Sequence, residues 1–113
     1  MLLDFTTEQI DETTMVVTLI GRMTLGMRLR EVELQLNHAI DGGVRRLALE
    51  MSGIDYADSA GLGLLMLLYG KMKTVKGSLR IVAPTPTVQQ LFDLTNTSQL
   101  LSIYPDRAAA LVD

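Results

Sequence analysis

Short apolar runs alternate with stretches of helical period along this chain, and that alternation restricts it to few architectures. Leu3, Phe5 and Thr7 alternate with polar neighbours, and Met15 to Ile20 is a run rich in β-branched residues. The polar stretch Gln9 to Thr13 between them predicts a hairpin connection. From Leu25 the period becomes helical. Leu25, Leu29, Val32, Leu36 and Ala39/Ile40 recur on one side, with Arg28, Glu31, Gln35 and His38 outside that stripe. Gly42 and Gly43 stop this helix, since glycine takes the left-handed conformation that commonly ends one.

Arg46 to Met51 predicts a short strand, followed by a loop over Ser52 to Ala57. That loop leads into Asp58-Ser59-Ala60-Gly61-Leu62-Gly63, and a second helix runs to about Val75 and is broken by Lys76-Gly77. Leu79 to Ala83 is the next strand. Thr85-Pro86 predicts a cap with proline in the first helical turn, where a missing N–H is harmless. Val88, Leu91, Phe92 and Thr95 form that helix's inner stripe. A short apolar piece, Leu100 to Ile103, precedes a last helix begun by Pro105 and carried by Ala108-Ala109-Ala110-Leu111. Strands and helices in this order imply right-handed crossovers and a partly parallel sheet. The expected fold is α/β: a mixed β-sheet with an N-terminal hairpin and about four helices packed on it.

With 113 residues, 48% of them hydrophobic and 20% charged, the chain reads as one globular domain, residues 1–113. It holds no cysteine, which excludes disulfides and thiolate metal sites, and its one histidine, His38, argues against a histidine-built metal site. A net charge of −3, two phenylalanines, three tyrosines and no tryptophan give no basic patch with stacking aromatics, so no nucleic-acid partner is expected. Met1-Leu2-Leu3-Asp4 lacks the pattern of a signal peptide. The run Leu62 to Tyr69 is far shorter than the roughly 20 residues that span a bilayer. A cytoplasmic protein without membrane insertion is the expectation.

One segment carries chemistry. Asp58-Ser59-Ala60-Gly61-Leu62-Gly63 sits where a loop becomes the second helix. Asp58 or Ser59 can cap that helix by accepting a backbone N–H. The unpaired N–H groups of a first helical turn favour an anion at Ser59. Gly61 and Gly63 each weaken the helix by roughly 1 kcal/mol relative to alanine, and in exchange expose backbone to an approaching surface. The bland alternative is a simple cap with glycines for packing on the sheet. The residues that follow, Leu62 to Tyr69, are apolar nearly all round the helix. A helix on one face of a sheet buries only a stripe, so part of this surface is expected to meet a partner, unless the helix is fully sandwiched or covers a homodimer interface.

The stretch from Met51 through Asp58-Ser59-Ala60-Gly61-Leu62-Gly63 to Leu65 resembles the signature of STAS domains in bacterial anti-sigma factor antagonists. The resemblance extends over nearly the whole chain. Gly21-Arg22-Met23 resembles that family's turn into its first helix, and Val88, Leu91, Leu94 and Ala108 to Leu111 fit its tail. The resemblance implies a phosphorylation switch at Ser59. An anti-sigma factor that is itself a serine kinase would bind the unphosphorylated chain, release its sigma factor, and let go once Ser59 is phosphorylated. A phosphatase would reset the cycle, and ATP would belong to the kinase, so this chain needs no cofactor. The implied contact surface comprises Asp58, Ser59, Ala60, Gly61, Leu62 and Gly63, flanked by Met23 and Thr24. Where that family usually carries an aspartate, this chain has Thr24, which can instead cap the first helix.

The same fold also serves as a permanently docked subunit of stressosome-like or ABC-type lipid-transport complexes, without phosphate on Ser59. An enzyme reading begins from Ala57-Asp58-Ser59-Ala60-Gly61, one residue away from a G-x-S-x-G nucleophile elbow. It fails because no histidine follows Ser59 to complete the triad. No catalytic residue is expected.

Overall fold

The computed structural model describes residues 2–112. Strand β1 (Asp4–Gln9) and strand β2 (Thr14–Met23) form the antiparallel hairpin, in register from Asp4↔Ile20 to Gln9↔Met15. Asp11 closes the connection by accepting the Thr13 N–H at 2.9 Å. Helix α1 (Met27–Asp41) then crosses to strand β3 (Arg46–Ala57), which pairs parallel to β2. Helix α2 (Ser59–Thr74), strand β4 (Ser78–Val82), helix α3 (Pro86–Leu94), strand β5 (Ser102–Tyr104) and helix α4 (Arg107–Leu111) complete the fold. The sheet order is β1-β2-β3-β4-β5, parallel from β2 onward, as the alternation predicts.

Adjacent strand residues point to opposite faces, and the two faces are covered unequally. On one face, Val17, Leu19, Leu47, Leu49 and Ile81 meet the inner stripes of α1, α2 and α3 in the main core. On the other, Val16, Ala48 and Val82 lie under Ala110 of α4 in a much smaller cluster. Arg80 holds α4 there, its Nη1 donating to the carbonyls of Ala110 at 2.7 Å and Val112 at 3.2 Å. Thr85 caps α3 as expected and also donates its hydroxyl to the Ile54 carbonyl at 2.9 Å, tying that helix start to β3.

Five local expectations need correction. The predicted loop over Ser52 to Ala57 is the second half of β3. Its pairing with β2 shifts register between Thr18 and Ile20 and again between Gly21 and Arg22, and such bulges break the period that marks a strand. Gly21-Arg22-Met23 is strand, not turn; the turn lies over residues 24–26. Leu25 is therefore not on the inner stripe of α1 but 83% exposed. Thr24 does not cap that helix either, because its N-cap is Gly26, with no side-chain hydrogen bond. The last helix starts at Arg107, capped by Asp106, which accepts the Ala109 N–H at 2.8 Å.

The packing predicts a sharp contrast along α2. Leu65 is fully buried between helix and sheet, whereas Leu67 stands half in solvent. Leu65→Ala is expected to lower unfolding free energy by about 2–5 kcal/mol, and Leu67→Ala by under about 0.5 kcal/mol, as read from urea denaturation midpoints.

Candidate functional site

The end of β3 delivers the chain to the site. The Asp58 N–H donates to the Met23 carbonyl at 3.2 Å, closing the β2–β3 ladder one step beyond its last pair, Met23↔Ala57. Asp58 itself is extended (φ −96°, ψ −172°), the conformation an N-cap requires. Its Oδ1 accepts from the N–H groups of Ala60 at 2.9 Å and Gly61 at 3.1 Å. Its Oδ2 accepts from the Leu25 N–H at 3.2 Å, across to the turn between β2 and α1. The cap is thus Asp58, and Ser59 becomes the exposed first residue of α2.

This arrangement corrects one electrostatic expectation. The free N–H groups of the first turn were to welcome an anion at Ser59. Those of Ala60 and Gly61 already serve the Asp58 carboxylate, and that of Leu62 serves the Asp58 carbonyl at 3.1 Å. The anion at this helix start is the protein's own.

The two glycines play different parts. A Cβ on Gly61 would lie 2.4 Å from the Met23 carbonyl oxygen and 2.9 Å from the Met23 Cβ, so only glycine lets the helix approach the end of β2 this closely. A Cβ on Gly63 would meet nothing within 4 Å. Gly61 is a packing residue; Gly63 is a bare spot on an open surface. Met23, expected on the contact surface, is 0% exposed and packs in the core beneath Gly61. Ala60 and Leu62 are partly buried against that core, and Thr24 is half-buried.

The surface around the start of α2 is open and mostly apolar. A depression of about 280 Å³ between α1 and α2 is lined by Leu25, Leu29, Ala60, Gly63, Leu64 and Leu67, with the Arg30–Glu33 ion pair at its side. A second, of about 480 Å³ between β3 and α3, includes Tyr56, Ser59, Leu91 and Leu94 together with Thr87 and Gln90. Leu25 (83% exposed) and Leu94 (75%) stand on the rims. The all-apolar look of α2 led to its own side chains being read as the patch, yet Leu64, Leu65 and Leu68 are buried and Leu67 is half-exposed. Most of the exposed apolar surface comes instead from neighbouring elements. The signal for it was Leu25 and Met27 on either side of Gly26, a leucine and a methionine placed in a turn.

The sequence profile of the STAS domain matches residues 4–110. This chain belongs to the STAS domain family. It is 33% identical over 75 residues to BtrV of Bordetella bronchiseptica, provisionally named an anti-sigma factor antagonist. That match spans 66% of this chain and 62% of BtrV, less than two thirds of that relative's length. Among solved structures, an anti-sigma factor antagonist from Mycobacterium paratuberculosis superposes with a TM-score of 0.84 at 22% identity, covering 97% of this chain and 92% of that one. SpoIIAA in its unphosphorylated form gives 0.75 at 21% identity, covering 92% and 89%. At such identities the likeness is one of fold. Among the described residues no helix of this STAS chain is long and apolar enough to cross a membrane.

Two measurements test this geometry. Gly61→Ala is expected to destabilise the fold by about 1–3 kcal/mol through overpacking against Met23, while Gly63→Ala stabilises α2 by about 0.5–1 kcal/mol; thermal unfolding of the two variants separates them. The second concerns acid. The N–H donors of Gly61 and Leu25 foremost, with Ala60, hold the Asp58 carboxyl below its ordinary value of 3.8, against a smaller opposing effect of desolvation. A carboxyl depressed in the folded state stabilises it above the unfolded pKa, and that contribution disappears as pH falls through the folded one. The stability difference between the wild type and Asp58→Asn should therefore shrink as pH is lowered below 3.8, measured as urea midpoints at successive pH values.

Proposed function

We propose that this STAS domain is an anti-sigma factor antagonist: a non-enzymatic cytoplasmic binding module, without a cofactor, whose docking is switched by phosphorylation of Ser59. One observation carries the reading. Ser59 is an exposed hydroxyl at the mouth of α2, on the wall of one open and mainly apolar depression, and its helix neighbours Ala60 and Gly63 line a second. Monomeric proteins rarely leave such surface uncovered without a partner for it. The name of BtrV and the solved phosphorylated form of SpoIIAA support the same reading.

In this reading the partner is an anti-sigma factor that is also a serine kinase. It covers the α2 tip through Ser59, Ala60 and Gly63 and the rims at Leu25 and Leu94, with Thr24 at the edge. Asp58, Gly61 and Leu62 shape that surface from within. The kinase then transfers the γ-phosphoryl group of its ATP to Ser59 Oγ, and the hydroxyl proton leaves to a base on the kinase. The product carries about −1.5 to −2 charges. Two N–H groups that could have answered this charge, those of Ala60 and Gly61, are already bonded to Asp58. A dianion covered by the partner without a counter-charge costs roughly 3–5 kcal/mol, and each 1.4 kcal/mol is about tenfold in affinity. The complex dissociates without any change of fold, and a phosphatase restores the hydroxyl.

Calorimetric titration with the purified cognate anti-sigma kinase provides the test. Ser59→Asp should weaken binding by about a hundred- to a thousandfold, Ser59→Ala should retain it, and kinase with ATP should phosphorylate the wild type but not Ser59→Ala. Undiminished binding by Ser59→Asp would refute the switch and favour a permanently docked subunit.

A further inference from the structure

The Asp58 carboxylate does more than an N-cap needs. A cap uses one acceptor oxygen, and Oδ1 fills that role with Ala60 and Gly61. Oδ2 reaches a residue 33 positions earlier in the chain, the Leu25 N–H. That residue belongs to the turn over residues 24–26, and its side chain is more than four-fifths exposed. Helix α1, which follows the turn, has no side-chain cap of its own. Another tether at this end is Arg28, whose Nε donates to the Leu3 carbonyl at 2.9 Å and whose Nη2 meets Asp4 at 2.9 Å, both toward β1. On the Ser59 side the turn is fastened by Asp58.

We infer that Asp58 is a positioning residue for docking, fixing the turn at residues 24–26 against the start of α2 so that Leu25 is presented with Ala60 and Gly63, next to Ser59, as one surface. The inference rests on the docking reading above and extends it: the partner reads a composite apolar surface drawn from two segments of chain, and one carboxylate sets their relation. Preorganised side chains bind more tightly than mobile ones because less freedom is lost on association. The depressed Asp58 pKa is consistent with a carboxylate holding donors on both sides. The aspartate that the STAS resemblance leads one to expect at position 24 is a threonine here, so this turn carries no carboxylate of its own at that position.

Asp58→Asn separates positioning from capping. Asparagine is as good an N-cap as aspartate, but it keeps only one acceptor oxygen; the other position becomes an NH₂ that cannot accept from Leu25. Amide hydrogen exchange, followed by NMR on the intact chain, should show Leu25 exchanging at least about tenfold faster in Asp58→Asn, while Ala60 and Gly61 keep their protection. Affinity for the purified cognate kinase should fall about tenfold, and Leu25→Ala should lose a similar amount without altering exchange at Ala60 or Gly61. Unchanged exchange at Leu25 would overturn the inference from the free protein alone. Faster exchange with full affinity would overturn it too, while leaving the Ser59 switch standing. Full affinity of Ser59→Asp would refute the phosphorylation switch alone, and that result is independent of any variant at position 58.

Discussion

The parallel pairing of β2 with β3 is the constraint on which the rest depends. The two strands run together from Thr14↔Arg46 to Met23↔Ala57, and the Asp58 N–H extends the ladder to the Met23 carbonyl. Because they are parallel, their carboxyl ends lie side by side, and both chain exits open on the same edge of the sheet. One exit becomes the turn into α1, the other the first turn of α2. Ligands of open α/β sheets gather at this edge for the same topological reason. Gly61 then allows the two exits to close to contact distance, and Asp58 joins them.

Much of this was legible in the chain itself. The hairpin, the crossovers and the Asp58 cap follow from period and from residues with one good use, such as glycine after a helix or aspartate before one. Legibility failed where two elements had to be known together. Ser52 to Ala57 reads as loop because bulges opposite Thr18–Ile20 and Gly21–Arg22 erase the alternation, and they are visible only against the partner strand. Leu25 fits the helical stripe in spacing, yet α1 begins two residues later, so its side chain turns to solvent. Met23, next to a turn, suits core filling as well as the contact role that the resemblance implies; the close approach of Gly61 shows that it is roofed over. Sequence pattern assigned the apolar rim of the candidate site to the wrong element.

The helix start carries a second lesson. Glycine-rich helix N-termini are ready-made anion sites when their N–H groups are free. Here a side-chain carboxylate one residue upstream occupies two of them, and the backbone carbonyl of the same residue takes a third. A neighbouring phosphate gains the distant field of the helix but no close hydrogen bonds from these groups. The same motif can therefore cradle an anion or refuse one, depending on whether its own cap is charged.

The thin cover on the far face of the sheet has consequences for how the protein can be handled. Val16, Ala48 and Val82 are kept dry by a five-residue helix, held through Arg80 to the carbonyls of Ala110 and Val112. Cutting the chain before Ala110 would bare a strip of adjacent β-strands and remove two of the acceptors that Arg80 uses. Such a strip invites the aggregation that sheets otherwise guard against. Tags and fusions joined at this end need a spacer that lets α4 settle first.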